Sequence, residues 1–150
     1  MSEFEEIIAI EASPEKVWVV LADIGNIYLW NPGIVHSEQT SSGTVGVGSC
    51  RRCVLGYKNY LDEEVVVFEP SRQMTIRITD TNLPFKTADI RFTLEPDGNK
   101  TIVKVSPKYR LKFGLLGRVL DDVMVRNQYR KGMRGLLRGL KDHVENKTAS

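Results

Sequence analysis

GLLGRVLDDVMVRNQYRKGMRGLLRGLKDHV, residues 114–144, keeps a helical period throughout and contains no proline. At about 1.5 Å per residue it predicts a helix of roughly 45 Å. In its second half Met133, Leu136, Leu137, Leu140 and Val144 stack on one side. Carried towards the N-terminus at about 100° per residue, that side passes through Tyr129, Arg126, Asp122, Val119 and Leu115. One face thus turns from aliphatic to mixed, while Leu116, Leu120, Val123 and Met124 form a second apolar patch. Two readings are open. A bend near Gly132 leaves Asp122 and Arg126 in solvent, or the first half lines a cavity with Asp122, Arg126 and Tyr129 as its few polar groups. Gly132, Gly135 and Gly139 share a flank, and each costs about 1 kcal/mol against Ala in a helix. Close approach by another element is the expected reason.

Working back from this helix, residues 34–111 change to short β-like runs. Strands are expected near 35–39, 48–55, 60–68, 73–79, 88–94 and 101–111, with breaks at Ser41-Ser42-Gly43, Gly56-Tyr57-Lys58, Glu69-Pro70-Ser71, Asn82-Leu83-Pro84 and Pro96-Asp97-Gly98-Asn99. Close turns between short strands predict an antiparallel meander. Before it lie a β-pattern at Phe4, Ile8 and Ile10, then Ser13-Pro14, a helix start with an N-cap hydroxyl and a proline at the first helical position. Val17, Trp18, Leu21 and Ala22 follow at helical spacing, then a short helix or turn over Ile27, Tyr28 and Trp30 that Asn31-Pro32-Gly33 ends. The expected class is α+β: a curved antiparallel sheet of about seven strands around a long C-terminal helix, with two short helices after the first strand. Residues 1–150 read as one domain, with no repeat or linker.

Centring one hairpin on Tyr57 sets Arg51 opposite Glu63 and Cys53 opposite Leu61. Alternation then places Arg51, Cys53, Leu55, Leu61, Glu63, Val65 and Val67 on one face, against a more charged face with Arg52, Val54, Asp62, Glu64, Val66 and Phe68. The first face is expected to be interior, with Arg51 and Glu63 as an ion pair in apolar surroundings. Such a pair adds little net stability. It is either structural, at a sheet edge, or the polar anchor of a ligand pocket.

Composition narrows the function classes. The 150 residues carry a net charge of +2, too weak to imply nucleic acid without a clustered basic face. No apolar run is long enough to span a bilayer. The acidic start, Glu3 to Glu6, lacks the features of a signal peptide, and only two cysteines are present, so a cytoplasmic protein is expected. Cys50-Arg51-Arg52-Cys53 sends its two sulfurs to opposite strand faces, which argues against a disulfide or a metal site. His36 and His143 stand alone, His36 as an exposed strand residue or at a pocket mouth. Arg118, Arg126, Arg130, Lys131, Arg134, Arg138 and Lys141 make the last helix basic; a solvated face or at most peripheral membrane contact is expected.

Ala12-Ser13-Pro14-Glu15-Lys16-Val17-Trp18, Trp30-Asn31-Pro32, Gly48-x-x-Arg51, Glu63 six residues before Glu69-Pro70, and the long terminal helix together resemble the START-like (SRPBCC) superfamily. Within it, the polyketide cyclase/dehydrase and lipid transport branch is the nearest match, over nearly the whole chain. The resemblance implies a helix-grip fold with a deep, mostly apolar cavity between sheet and last helix. Its members include lipid and hormone binders, aromatase/cyclases and co-chaperone-like modules.

The expected function is binding or transport of an apolar or amphipathic small molecule, without cofactor or metal. Its polar end would meet Arg51, Glu63, Asp122, Arg126 or Tyr129, and Trp30, Met74, Ile76, Tyr109 and Val119 would form apolar walls. An enzyme of the cyclase or dehydratase type, with Glu63 or Asp122 as base and Tyr109 or Tyr129 as donor, is the alternative. A protein-interaction module is a third.

Overall fold

The computed structural model describes residues 2–120 and 124–149. The N-terminal strand is interrupted, so β1 (Ser2–Glu3) and β2 (Glu6–Ile10) are two halves that both pair with β8 (Lys100–Leu111). From β8 the antiparallel ladder runs through β7 (Phe85–Asp97), β6 (Gln73–Thr81), β5 (Tyr60–Glu69) and β4 (Cys50–Val54) to β3 (His36–Gln39). This is the seven-strand meander expected from the turn signals, although β7 begins three residues earlier and ends three later than the sequence pattern suggested. Between β2 and β3 lie α1 (Pro14–Ala22) and a 3₁₀ stretch, Ile24–Leu29. The Ser13 hydroxyl accepts the Lys16 N–H at 3.3 Å and Pro14 opens α1, the start that Ser-Pro encodes.

The helix expected over 114–144 is described as α2 (Gly114–Leu120) and α3 (Arg126–Ala149), with a π-helical turn at Met124-Val125 leading into α3. The sheet packs its inner face on α3. Along β8, Thr101, Val103, Val105 and Tyr109 are buried at alternate positions, and Ala88, Ile90, Phe92 and Leu94 do the same on β7. Met133, Leu136, Leu137, Leu140 and Val144 of α3 close the core with Val17, Trp18, Val20 and Leu21 of α1. Burying each such large aliphatic side chain is worth about 1.5–3 kcal/mol.

Among the described residues the ladder register shifts at three places: between Asp62 and Glu63, between Val65 and Val67, and between Phe85 and Thr87. A β-bulge between Val65 and Val67 leaves Val66 unpaired, after which Val67 faces Thr75 and Phe68 faces Met74. The extra residue inverts the phase, so Phe68, expected on the outer face, packs its ring 5.1 Å from Trp18, and Val67 is not the next core residue.

Both edges of the sheet are covered. On β2, Lys141 Nζ donates to the Ala9 carbonyl at 3.1 Å, and the Glu145 carboxylate accepts the N–H of neighbouring Glu11 at 2.8 Å. Arg126 donates to the Glu3 carbonyl at 2.9 Å, and Arg130 and Arg134 both reach Glu6. The basic stripe of α3 is therefore largely engaged with the acidic N-terminal strand. On β3, the Ser37 hydroxyl donates to the Gly25 carbonyl at 2.8 Å and accepts the Tyr28 N–H. A Cβ on Gly25 would lie 2.8 Å from the Gln39 nitrogen, so this approach requires glycine.

Candidate functional site

Between β4–β7 and the first three turns of α3 lies a cavity of about 420 Å³. That is within the range of about 300–1,000 Å³ typical of small-molecule sites. Leu55, Leu61, Ile76, Ile78, Ile90 and Phe92 form its sheet wall, and Val125, Tyr129, Met133 and Leu136 its helix wall. Exposed Gly33, Pro84, Gln128 and Gly132 mark the rim.

One charged pair sits in this apolar surface. The β4–β5 register sets Arg51 opposite Glu63, and Arg51 Nε donates to Glu63 Oε1 at 2.8 Å, with the two side chains 6% and 3% exposed. Arg51 Nη1 also donates to the Ile24 carbonyl at 3.2 Å, tying β4 to the 3₁₀ stretch. Burial opposes the guanidinium charge, but Glu63 and its hydrogen bond outweigh this and hold Arg51 above its usual range. Cys53 Sγ donates to the same Glu63 oxygen at 3.4 Å; burial, then the Glu63 charge, push its thiol up to about 12. Burial and the Glu63 charge likewise raise the Tyr129 phenol above its ordinary value. All three groups are thus kept in their ordinary neutral-pH protonation states.

The other expected residues divide. Arg51, Glu63, Ile76 and Tyr129 all line the cavity. Met74 and Tyr109 are buried on the same sheet face but outside the lining, Tyr109 within a ring cluster with Phe4, Phe85 and Tyr129 whose centroids are 5.1–6.5 Å apart. Trp30 is buried outside the lining, with its backbone against Gly139. Val119 is 58% exposed and Arg126 points to Glu3, so neither faces the cavity. Asp122 lies outside the described residues. The cavity face of α3 runs through Val125, Gln128, Tyr129, Gly132, Met133 and Leu136. This face is offset round the helix from the packing stripe of Met133, Leu137, Leu140 and Val144, so extending the stripe at 100° per residue reaches Arg126, on the flank of the cavity face, instead of Val125.

Sequence reasoning missed Ile27, Ile34, Leu83 and Phe85. Phe85 stood just outside an expected strand, and its β7 pairing with Leu111 was the signal to extend it. Cys50 and Cys53 are both free. His36 is exposed, 5.6 Å from the Tyr28 ring. Among the described residues, no three His, Cys, Asp or Glu side chains are grouped to hold a metal, and no helix is long and apolar enough to cross a membrane.

A cavity gripped between a seven-strand meander and a C-terminal helix is the geometry that the resemblance implied. The profile of the family described as polyketide cyclase / dehydrase and lipid transport matches residues 1–145. The chain belongs to this family. No curated protein sequence matches it. Among solved structures, a Thermus thermophilus protein superposes with a TM-score of 0.83 at 20% identity, covering 97% of this chain and 99% of that one. A START superfamily protein from Mycobacterium smegmatis gives 0.79 at 17% identity, over 96% and 97% of the two chains. The Zhui aromatase/cyclase of Streptomyces sp. R1128 gives 0.82 at 15% identity, over 98% and 95%. At these identities the likeness is one of fold. The polyketide cyclase/dehydrase and lipid transport family joins binders of hydrophobic ligands and cyclases on one scaffold, so the activity has to be argued from the cavity itself.

Proposed function

We propose that the protein binds and carries an apolar or amphipathic small molecule inside the cavity, with the ligand's polar end against the Arg51–Glu63 pair. The observation that carries this reading is a cavity of about 420 Å³ with aliphatic and aromatic walls and one buried ion pair. A pair in such surroundings contributes little to stability, so an anchoring role accounts for its position. A space that the described side chains leave open weighs against a purely structural interaction module. The two free cysteines favour a reducing, cytoplasmic setting.

The test is titration with the neutral fluorescent probe N-phenylnaphthylamine. One probe per chain is expected, with binding abolished by Ile78→Trp, which fills the cavity from β6. No binding, or equal binding by that variant, would overturn the reading.

Similarity to an aromatase/cyclase raises a second reading, with Glu63 as a general base for cyclisation or dehydration. Glu63 Oε1 is already occupied by the Arg51 and Cys53 donors, which is why the carrier reading is preferred. Turnover of a polyketide-like substrate, lost in Glu63→Gln while binding persists, would reverse that preference.

A further inference from the structure

The polar end of the cavity has hydrogen-bonding capacity that the described residues leave unused. Glu63 Oε1 accepts both Arg51 Nε and Cys53 Sγ, whereas Oε2 has no partner among the described residues. The Tyr129 hydroxyl, on the opposite wall, likewise has none. Ser106 Oγ is the one fully enclosed side-chain polar atom without a partner among the described residues. Glu63 and Tyr129 both line the cavity, from its sheet wall and its helix wall. An unpaired acceptor and an unpaired hydroxyl in a low-dielectric site are costly when left dry, by about 1–3 kcal/mol each, and a ligand that satisfies them recovers that energy.

The charge balance restricts what fits. Arg51 and Glu63 neutralise each other, so this end has little net charge. An incoming carboxylate would be set against Glu63 Oε2, and an ammonium would share the space with the Arg51 guanidinium; each also loses its hydration. A neutral group that both donates and accepts meets neither penalty.

We infer that Glu63 and Tyr129 form a subsite for a neutral hydroxyl, which donates to Glu63 Oε2 and accepts from the Tyr129 hydroxyl. The favoured occupants are accordingly neutral phenols or alcohols with an apolar body, in preference to fatty acids and other organic anions. This specificity rests on the carrier reading above. The raised Tyr129 phenol agrees with it, since a protonated tyrosine is the donor required.

Calorimetric titration at pH 7 with naphthalene, 2-naphthol and 2-naphthoate tests it on one carbon skeleton. The naphthol is expected to bind at least about tenfold tighter than either of the others, because sites built to hydrogen-bond a hydroxyl reject analogues lacking it. Tyr129→Phe and Glu63→Gln should each bring the naphthol to within about threefold of naphthalene measured on the same variant. Tyr129→Phe keeps the ring and its packing, so it remains informative if Glu63→Gln disturbs the fold. Naphthoate binding as tightly as naphthol, or full naphthol affinity in both variants, would overturn the subsite while leaving the carrier reading intact. Failure of all three compounds together with N-phenylnaphthylamine would overturn both.

Discussion

Gly132 and Gly139 lie two turns apart on one flank of α3, yet their surroundings are opposite. A Cβ on Gly139 would fall 1.9 Å from the Trp30 carbonyl oxygen and 3.2 Å from Pro32 Cδ, whereas one on Gly132 would meet nothing within 4 Å. The first glycine lets the Trp30-Asn31-Pro32 segment press against the helix backbone and lock it in place. The second borders the rim of the cavity. The same residue type at the same helical phase marks close packing at one point and open space at the other. The division continues along the helix: Leu136, Leu137, Leu140 and Val144 are buried beyond Gly132, while Leu115, Leu116, Val119 and Met124 before it are more than half exposed.

The largest expected effect is at the packed glycine. Gly139→Ala should destabilise the protein by about 3 kcal/mol or more in chemical denaturation, because the obstacle is backbone and no rotamer change relieves it. A loss below about 1 kcal/mol would mean that the Trp30 segment yields easily and that the two ends of α3 differ less than their geometry indicates. Gly132→Ala should instead raise stability by about 0.5–1 kcal/mol, since it gains helix propensity without a clash. The smallest effect concerns the grip of the packed half on β2. Glu145 accepts from Lys141 and from the Glu11 N–H, and the backbone hydrogen bond, followed by the lysine, holds its carboxyl below the usual range. A carboxyl depressed on folding stabilises above its unfolded pKa, near 4.3 for Glu, and loses that contribution as pH falls through the lower folded value. Glu145→Gln should therefore be a few tenths of a kcal/mol less stable than wild type at pH 7. The difference should vanish in acid, and one that grows on acidification would contradict the assignment.

Much of this architecture could be read from local chemistry. Ser13-Pro14 starts a helix by its own geometry, and the turn residues around Tyr57 set Arg51 against Glu63 without any distant contact. Errors arose where a phase changes or a face is offset. The bulge at Val66 shifts everything beyond it without a composition that announces it, and the cavity face of α3 is offset from the packing stripe that the periodicity shows. The rest of the site depends on contacts between distant parts of the chain. Phe4 and Phe85 meet Tyr129 only once the sheet has curled over the helix, and Trp30 turned out to press its backbone on Gly139 where an apolar cavity wall was expected. The flank of glycines did signal close approach, but spacing alone could not distinguish the position that is pressed from the one that is open.

The covered edges of the sheet have a consequence for the protein's behaviour in a crowded solution. A protein with an empty apolar cavity carries less packing energy per residue than a solid one and is more inclined to open transiently. An open sheet in that condition is usually a template for cross-chain strand pairing and aggregation. Here the outward carbonyls of Glu3 and Ala9 are taken by Arg126 and Lys141, and the far strand β3 is tied through Ser37 to the 3₁₀ stretch. A neighbouring copy in search of a strand to extend meets a cation at one margin and a turn at the other, so the empty and loaded forms can remain dispersed alike.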